Sequence, residues 1–541
     1  MAGGGYDPPQ TSGKTVIAGP DTFSHNILFP KHVFLRMKQT PTMMMPLYRL
    51  SLLVLFAFSL ITCGGQSADT PAPSSNDPEP SISPPESQAP SQPQWSPPQL
   101  LGRETFPAQS AVSVTRFNLV LNSEGDEFLA WRLQHSHNGA TEILNRFIFH
   151  PRHSDSWLSA NPLPEGQRAD GGWPVVITDT GSPRLFALWE RLEEQRNSNP
   201  IFLNAYLPPA GWASHLVIGG GFFADVNSAA SGDLNIFWLE DIGMGRTQIN
   251  ARKYRLGSGF GPPSPLIRIQ PTPSEPFALF PVSELQSHAL SPNRSLVVWH
   301  EHDTSGVTLA YALFNADTGW TLPRFVPLPR GATERGRFRL TANGSLSAGA
   351  QLIYWYASNP AALFSTHFID GMWTDFVPII PPDDTARLTD VTTMENVSGE
   401  VFLIWREERP ATAQLLTSRF HPVEGWRPPQ PLSTALPLND ANTTRQPVPV
   451  LGNTAINNEG YGAAIWLDAA DQILFRTYEP DVGWHETQML TLTETESETP
   501  LGARIAVTTD RSLIVLWITQ QQDPLTDEIT LRTYRSEKAR P

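Results

Sequence analysis

Beyond residue 95 the chain alternates between short apolar runs and small polar turns, and the alternation recurs. Phe128-Leu129-Ala130-Trp131 and Val401-Phe402-Leu403-Ile404-Trp405 read as strands buried on both faces. No long stretch keeps the 3.6-residue apolar period of an amphipathic helix. Eight strands are centred on tryptophan, at Trp131, Trp189, Trp238, Trp299, Trp355, Trp405, Trp466 and Trp517, with spacings of 49 to 61 residues. After each of the first seven, at 18 to 26 residues, comes a second landmark that is often Gly-Trp: Trp157, Trp212, Phe260, Trp320, Trp373, Trp426 and Trp484. A third strand lies between the two landmarks and ends in aromatic and proline residues, as in Arg419-Phe420-His421-Pro422. The turn ahead of the central Trp recurs as Asn122-Ser123-Glu124-Gly125, Asn343-Gly344 and Asn457-Asn458-Glu459-Gly460. Tight hairpins need positive φ, which Gly and Asn adopt at least cost.

Each repeat thus supplies roughly four strands, and the period predicts an all-β chain folded as a β-propeller of eight four-stranded blades. Seven blades are expected instead if the third repeat, with Gly257 to Gly261 and its Pro-rich insertion, is irregular. Another solenoid or two stacked β-sandwiches is the fallback. The last repeat ends after a third strand, Ile529 to Tyr534, with no Gly-Trp strand. Gln94-Trp95-Ser96-Pro97-Pro98-Gln99-Leu100 parallels Gly425-Trp426-Arg427-Pro428-Pro429-Gln430-Pro431-Leu432. The N-terminal strand is therefore expected to close the last blade and remove its open edge.

The first 94 residues have another character. Leu50 to Ile61 is a 12-residue apolar stretch broken only by Ser51 and Ser59, with Lys38 and Arg49 ahead of it. A membrane span needs about 20 such residues; this length suits the apolar core of a signal peptide. Met37-Lys38 or one of Met43 to Met45 is a better start for such a peptide than Met1, so 1–36 reads as a gene-model extension and 37–62 as the signal. Leu60-Ile61-Thr62-Cys63 resembles a bacterial lipobox, with Thr62 standing where Gly, Ala or Ser is usual. The resemblance implies cleavage before Cys63 and a diacylglyceryl thioether on it, which anchors the protein in a lipid bilayer. Gly64 and Gly65 in place of Asp favour, by the same resemblance, the outer membrane of a Gram-negative cell. Residues 64–94 are dominated by Pro, Ser, Gln and acids, with no aromatic residue, Lys or Arg. Such a segment cannot bury enough apolar surface to offset its ordering entropy and is expected to be a disordered tether.

Charge and cysteine narrow the function. Net charge is −15, and residues 1–62 carry five basic and two acidic side chains, so the chain from Cys63 onward is near −18. Nucleic acid demands a clustered basic surface and is not expected as a partner. Cys63 is the only cysteine, which rules out an intramolecular disulfide or a thiolate cluster. We expect a monomer.

The repeat rhythm and Trp placement over roughly residues 95–535 resemble bacterial lipoprotein propellers with sialidase/BNR-like repeats. The resemblance implies a propeller but not an activity: Asp303-Thr304-Ser305-Gly306-Val307-Thr308 has the wrong spacing for an Asp box, and no arginine triad can be assigned. In a propeller of this strand order the connections from second to third strand and from outer to next inner strand share one face. That face is expected to carry Glu190 to Asn199, Glu240 to Arg246, His300 to Ser305, Arg406 to Pro410 and Gln520 to Glu528, with the insertions Arg268 to Ser287 and Ser433 to Val448. Varied loops on a rigid scaffold commonly form binding surfaces. His300, Glu301, His302, Asp303, Arg406 and Glu407 are the candidate binding residues there. His300-x-His302 could aim two imidazoles at one ion, but no third ligand is evident. No metal, cofactor or catalytic residue is expected. The function expected is a non-catalytic binding or scaffolding module for an envelope protein or glycan. The alternative is a glycan-active, sialidase-like hydrolase working at the same face.

Overall fold

The computed structural model describes residues 95–536 apart from short segments, the longest at 160–174, 191–198, 270–281 and 438–449. The readings made for 1–94 (extension, signal peptide, Cys63, tether) lie outside the described residues. Every regular element in the described residues is a β-strand, and the chain is an all-β propeller. No helix among them is long and apolar enough to cross a membrane.

The eight Trp-centred repeats appear as antiparallel units whose inner, second, third and outer strands pair in chain order, and they fall into seven hydrogen-bonded sheets. The count differs from eight because the second and third units share a strand. Leu216–Ser228 pairs through Leu216–Gly221 with Asn199–Leu207 and through Phe222–Ser228 with Leu234–Asp241. It is the outer strand of one unit and the inner strand of the next. Glycine makes this passage feasible. A Cβ on Gly219 would stand 2.7 Å from the Trp238 ring, and one on Gly221 (φ 143°) 2.3 Å from Leu239 O. The third repeat, the weakest in sequence, is a regular sheet running through Arg246–Arg255 to Ser264–Ile269.

Two tryptophan layers hold the units together. Seven of the central tryptophans are buried, and Trp189 is half-buried against Phe202. Second-landmark tryptophans reach back onto the preceding unit: Trp320 meets Phe237 at 6.0 Å, Trp373 meets Tyr311 at 5.9 Å and Trp484 meets Phe402 at 5.9 Å between ring centroids. Edge-to-face pairs of this kind add about 0.5–1.5 kcal/mol beyond the area they bury.

Closure follows the expected pairing, with one shift. Gln99–Pro107 is the outer strand of the last unit, pairing with Thr526–Arg535 from Gln99↔Thr533 to Pro107↔Thr526. The strand begins at Gln99 and not at Trp95, because Pro97 and Pro98 cannot donate to the ladder. Trp95 makes only an isolated bridge to Ser536, yet its ring lies 5.5 Å from Phe475 of the preceding unit, the contact its landmark relatives make.

Near the axis, side chains do what backbone pairing does within a sheet. On four inner strands the residue opposite the one preceding the central Trp is polar, and it binds the backbone of the next inner strand. Asp225 Oδ2 accepts from Ser287 N at 2.5 Å. Gln286 donates to Phe338 O and accepts from Leu340 N, both at 2.9 Å. Asn453 donates to Ile505 O (2.9 Å) and accepts from Ile505 N (2.6 Å). Arg504 of the last unit donates to Phe117 O of the first at 2.7 Å. Arg535 near the C-terminus also pairs with buried Glu127 of the first unit.

Candidate functional site

The expected face exists, but its named residues lie in strands. His300, Glu301, His302 and Asp303 belong to Arg294–Asp303, and Arg406 and Glu407 to Val401–Glu408. Most of the expected loops at 300–305 and 520–528 is strand, because both flanking strands extend further than apolar patterning suggests. Pairing in the fourth unit runs to Asp303↔Gly306, and in the last to Gln522↔Asp527. Polar residues are tolerated there because the strand ends face water or neighbouring charges.

The six residues do not form one cluster. Glu301 accepts from Trp299 Nε1 at 2.9 Å and is held by Arg268 of the third unit. His300 is 1% exposed and sets its ring edge-on to Phe338 of the fifth unit, 5.1 Å between centroids. His302 is half-buried one step from the hairpin. A shared ion for His300 and His302 is not what the geometry shows: His300 is committed to Phe338 and Glu284. Among the described residues no group of three or more His, Cys, Asp or Glu could hold a metal. Arg406 sits two units away from His300, bound to Asp390 (3.1 Å), Glu408 (3.1 Å) and Thr389 (2.9 Å). Glu407 takes Arg409 Nε at 2.7 Å.

Register links the two places. His300 lies opposite Ser283 and Arg406 opposite Thr389, each just past the central Trp, and each is followed on the inner strand by a bulge. The residue opening each bulge is an acid in the left-handed region, Glu284 at φ 51° and Asp390 at φ 51°. Such backbone costs about 1–2 kcal/mol for a non-glycine residue and is held only where surroundings over-determine it. In the sixth unit Arg406 answers the acid. In the fourth, His300 Nδ1 stands 3.0 Å from Glu284 Oε2 at an angle that makes no hydrogen bond, and His300 Nε2 has no hydrogen-bond partner among the described residues.

Around Glu284 the inner strands of three successive units share one electrostatic neighbourhood. Arg337 and Arg339 are exposed on Arg337–Ala342. Although the Arg339 side chain reaches the surface, the protein packed around it disfavours its charge and holds it below the usual guanidinium range, while Asp225 and Glu284 pull it back up and Arg337 opposes them. Asp225 is pushed up to about 6, chiefly by burial, against the lowering effect of its Ser287 hydrogen bonds and of Arg339. Burial also raises the Tyr354 phenol, with Glu284 adding to the rise, and Tyr354 Oη accepts from Gly336 N at 3.1 Å. Burial lowers His288 to about 4. Sequence reading found His300 but missed Glu284, Arg339 and Asp225. Their separation along the chain hides the cluster, and nothing in a strand's sequence marks a bulge that places Glu at positive φ.

No protein-family model matches this chain, and no curated protein does. Solved structures show weak likeness. A lectin of Burkholderia pseudomallei, BP39L, is 13% identical, with a TM-score of 0.39 over 66% of this chain and 98% of its own. The polysaccharide lyase Uly1 is 8% identical, with a TM-score of 0.37 over 66% of this chain and 89% of its own. A post-proline cleaving enzyme of Rickettsia typhi is 11% identical, with a TM-score of 0.36 over 76% of this chain and 57% of its own. A lectin, a lyase and a peptidase at such scores transfer no ligand or reaction.

Proposed function

We propose that this chain is an exported lipoprotein of a Gram-negative outer membrane, acylated at Cys63, whose propeller is a non-catalytic module that binds a glycan. The anchor reading is supported by Leu60-Ile61-Thr62-Cys63 after an apolar core too short to span a bilayer, and by the Pro/Ser-rich segment that follows. The ligand reading is carried by Glu284, an exposed acid held at φ 51° beside the exposed Arg337 and Arg339. Fixed carboxylate and guanidinium groups on neighbouring strands suit a ligand with several hydroxyls, since each can take a donor or acceptor of a sugar without forming charge in the product. Binding costs least when such groups are already positioned.

The hydrolase reading has one observation in its favour, the raised Asp225, which with Glu284 acts on Arg339. Against it, Asp225 Oδ2 already accepts Ser287 N and Oγ, at 2.5 and 2.9 Å. Two experiments test the proposal. Detergent partition and mass analysis of the mature N-terminus should find a diacylglyceryl Cys63 that Cys63→Ser abolishes; a free thiol there ends the anchor reading. Oligosaccharide-array binding of the chain should fall at least tenfold in Glu284→Ala and Arg339→Ala while His302→Gln binds normally. Equal binding by all, or none by the wild type, overturns the ligand reading. Turnover that Asp225→Asn removes would select the hydrolase.

A further inference from the structure

The two bulged acids differ in what answers them. Asp390 is met within its own unit by Arg406 at 3.1 Å, and Arg406 also holds Glu408 and Thr389, so the charges there are matched. At the corresponding place in the fourth unit stands His300, which makes no hydrogen bond to Glu284. The cations that share the field of Glu284 come instead from the next unit, Arg337 and Arg339. Strand alternation puts residues two apart on one face, and Phe338 between them is buried against the His300 ring. Both arginines are exposed, and among the described residues neither guanidinium has a hydrogen bond or an ion pair.

The backbone that carries them is fixed. Gln286 of the fourth unit bonds Phe338 O and Leu340 N, the peptide groups on either side of Arg339, both at 2.9 Å. The side chain is left in a costly place. Surrounding protein disfavours its charge, Arg337 adds like-charge repulsion, and the attraction of Asp225 and Glu284 does not make up the difference. Asp225 is itself occupied by Ser287 N and Oγ. A sugar hydroxyl accepts one hydrogen bond here but leaves the repulsion between the arginines in place. An ionised carboxylate or sulfate takes parallel N–H bonds from a guanidinium and supplies the missing charge. Net charge of −15 over the chain opposes an anion from afar. That field is screened beyond about 8 Å at physiological salt, so the arginines govern contact.

We propose that Arg337 and Arg339 select an acidic glycan by binding the carboxylate or sulfate of one sugar, while Glu284 accepts a hydroxyl of the same sugar or its neighbour. The inference rests on the reading of Glu284 as the glycan site and narrows the ligand class. Binding relieves the repulsion between the two guanidinium groups, and the strand that presents them needs no rearrangement. The matched cluster around Asp390 offers no such unpaired donors and is not a second copy of the site.

The test titrates the whole mature chain with two matched pairs: oligogalacturonate against its carboxyl-reduced counterpart, and a sulfated galactan oligosaccharide against its desulfated form. An acidic member should bind at least tenfold tighter than its neutral counterpart, and added salt should weaken the acidic member alone. Which pair shows the preference identifies the acid group. Arg337→Gln and Arg339→Gln should each remove at least tenfold of that affinity and leave the neutral member unchanged. Arg339→Lys, which keeps the charge but not the fork, should lose less. Arg324→Gln, on the outer strand Arg324–Phe325, should bind as wild type. Arg339→Gln should unfold at or above the wild-type denaturant midpoint, since it removes an unpaired cation; a lower midpoint with lost binding makes Arg339 structural and overturns the proposal. Inorganic sulfate that binds as tightly as the sulfated glycan also overturns it, by showing a bare anion site. Equal binding of acidic and neutral members, both weakened by Glu284→Ala, overturns the acidic ligand and leaves the Glu284 reading standing. No binding by any of the four ends both.

Discussion

At the residue scale the chain spends stability at particular positions. Asp225 has a folded pKa of about 6 against an ordinary 3.8, because burial disfavours its charge. A carboxyl raised in this way favours folding when protonated, so its penalty is absent below pH 3.8, grows between 3.8 and about 6, and is complete above. His288 works in the opposite sense over an overlapping window. Burial lowers it from 6.5 to about 4, so the stability of its neutral form is complete above pH 6.5 and is lost as pH falls through 4. Asp225→Asn should therefore unfold later than wild type at pH 8, by up to about 3 kcal/mol for a shift of two pH units, and the gain should vanish near pH 4. His288→Gln should flatten the acid limb instead. Denaturant midpoints across pH 4–8 separate the two, and a constant Asp225→Asn increment across that range would refute the assignment. Glu284 carries a backbone cost of about 1–2 kcal/mol. Glu284→Gly should hold or raise the unfolding temperature while glycan binding is lost, since strained sites trade stability for function.

At the element scale, Leu216–Ser228 is the strand on which two sheets depend. Its Gly221 combines φ 143° with a virtual Cβ only 2.3 Å from Leu239 O, so no flexible side chain can yield. Gly221→Ala should cost about 2–4 kcal/mol, read as a fall in the denaturant midpoint. Hydrogen exchange should be faster in both Asn199–Leu207 and Leu234–Asp241. Exchange confined to one would mean the strand is not shared. The polar inner-strand side chains are a second element-level device. Arg504 donates to Phe117 O, Gly452 O and Ala503 O, with burial lowering it to about 10. Arg504→Met should leave those carbonyls without their donor and cost about 1–3 kcal/mol for each one that water cannot reach.

At the scale of the whole molecule, the ring is closed by chain ends more than 400 residues apart in sequence, at Gln99↔Thr533. A chain beginning at Ala111 lacks the closing strand and exposes the Thr526–Arg535 edge, together with Ile529 and Leu531 of the core. It should unfold at markedly lower temperature and self-associate through that edge, which calorimetry and light scattering would show. A truncated chain as stable and monodisperse as the full one would mean that closure contributes nothing.

Much of this architecture is legible in the residues because it repeats. The Trp-centred runs specify strands, Asn-x-x-Gly specifies the turns at Gly125 (φ 84°) and Gly460 (φ 87°), and the likeness of residues 94–100 to 425–432 places the closing segment. These are local preferences reinforced at each period, so a chain can state them without tertiary contacts. The bulges at Glu284 and Asp390 cannot be read in this way, nor can the meeting of Asp225 with Arg339 or of Ser110 with His135. They depend on register between strands and on which inner strands stand side by side, and register is set by packing across units. Sequence therefore determined what each unit is made of. The assembled ring decided which polar side chains face one another, because only there do residues 25 to 387 positions apart, as in Ser110–His135 and Arg504–Phe117, come within hydrogen-bonding reach.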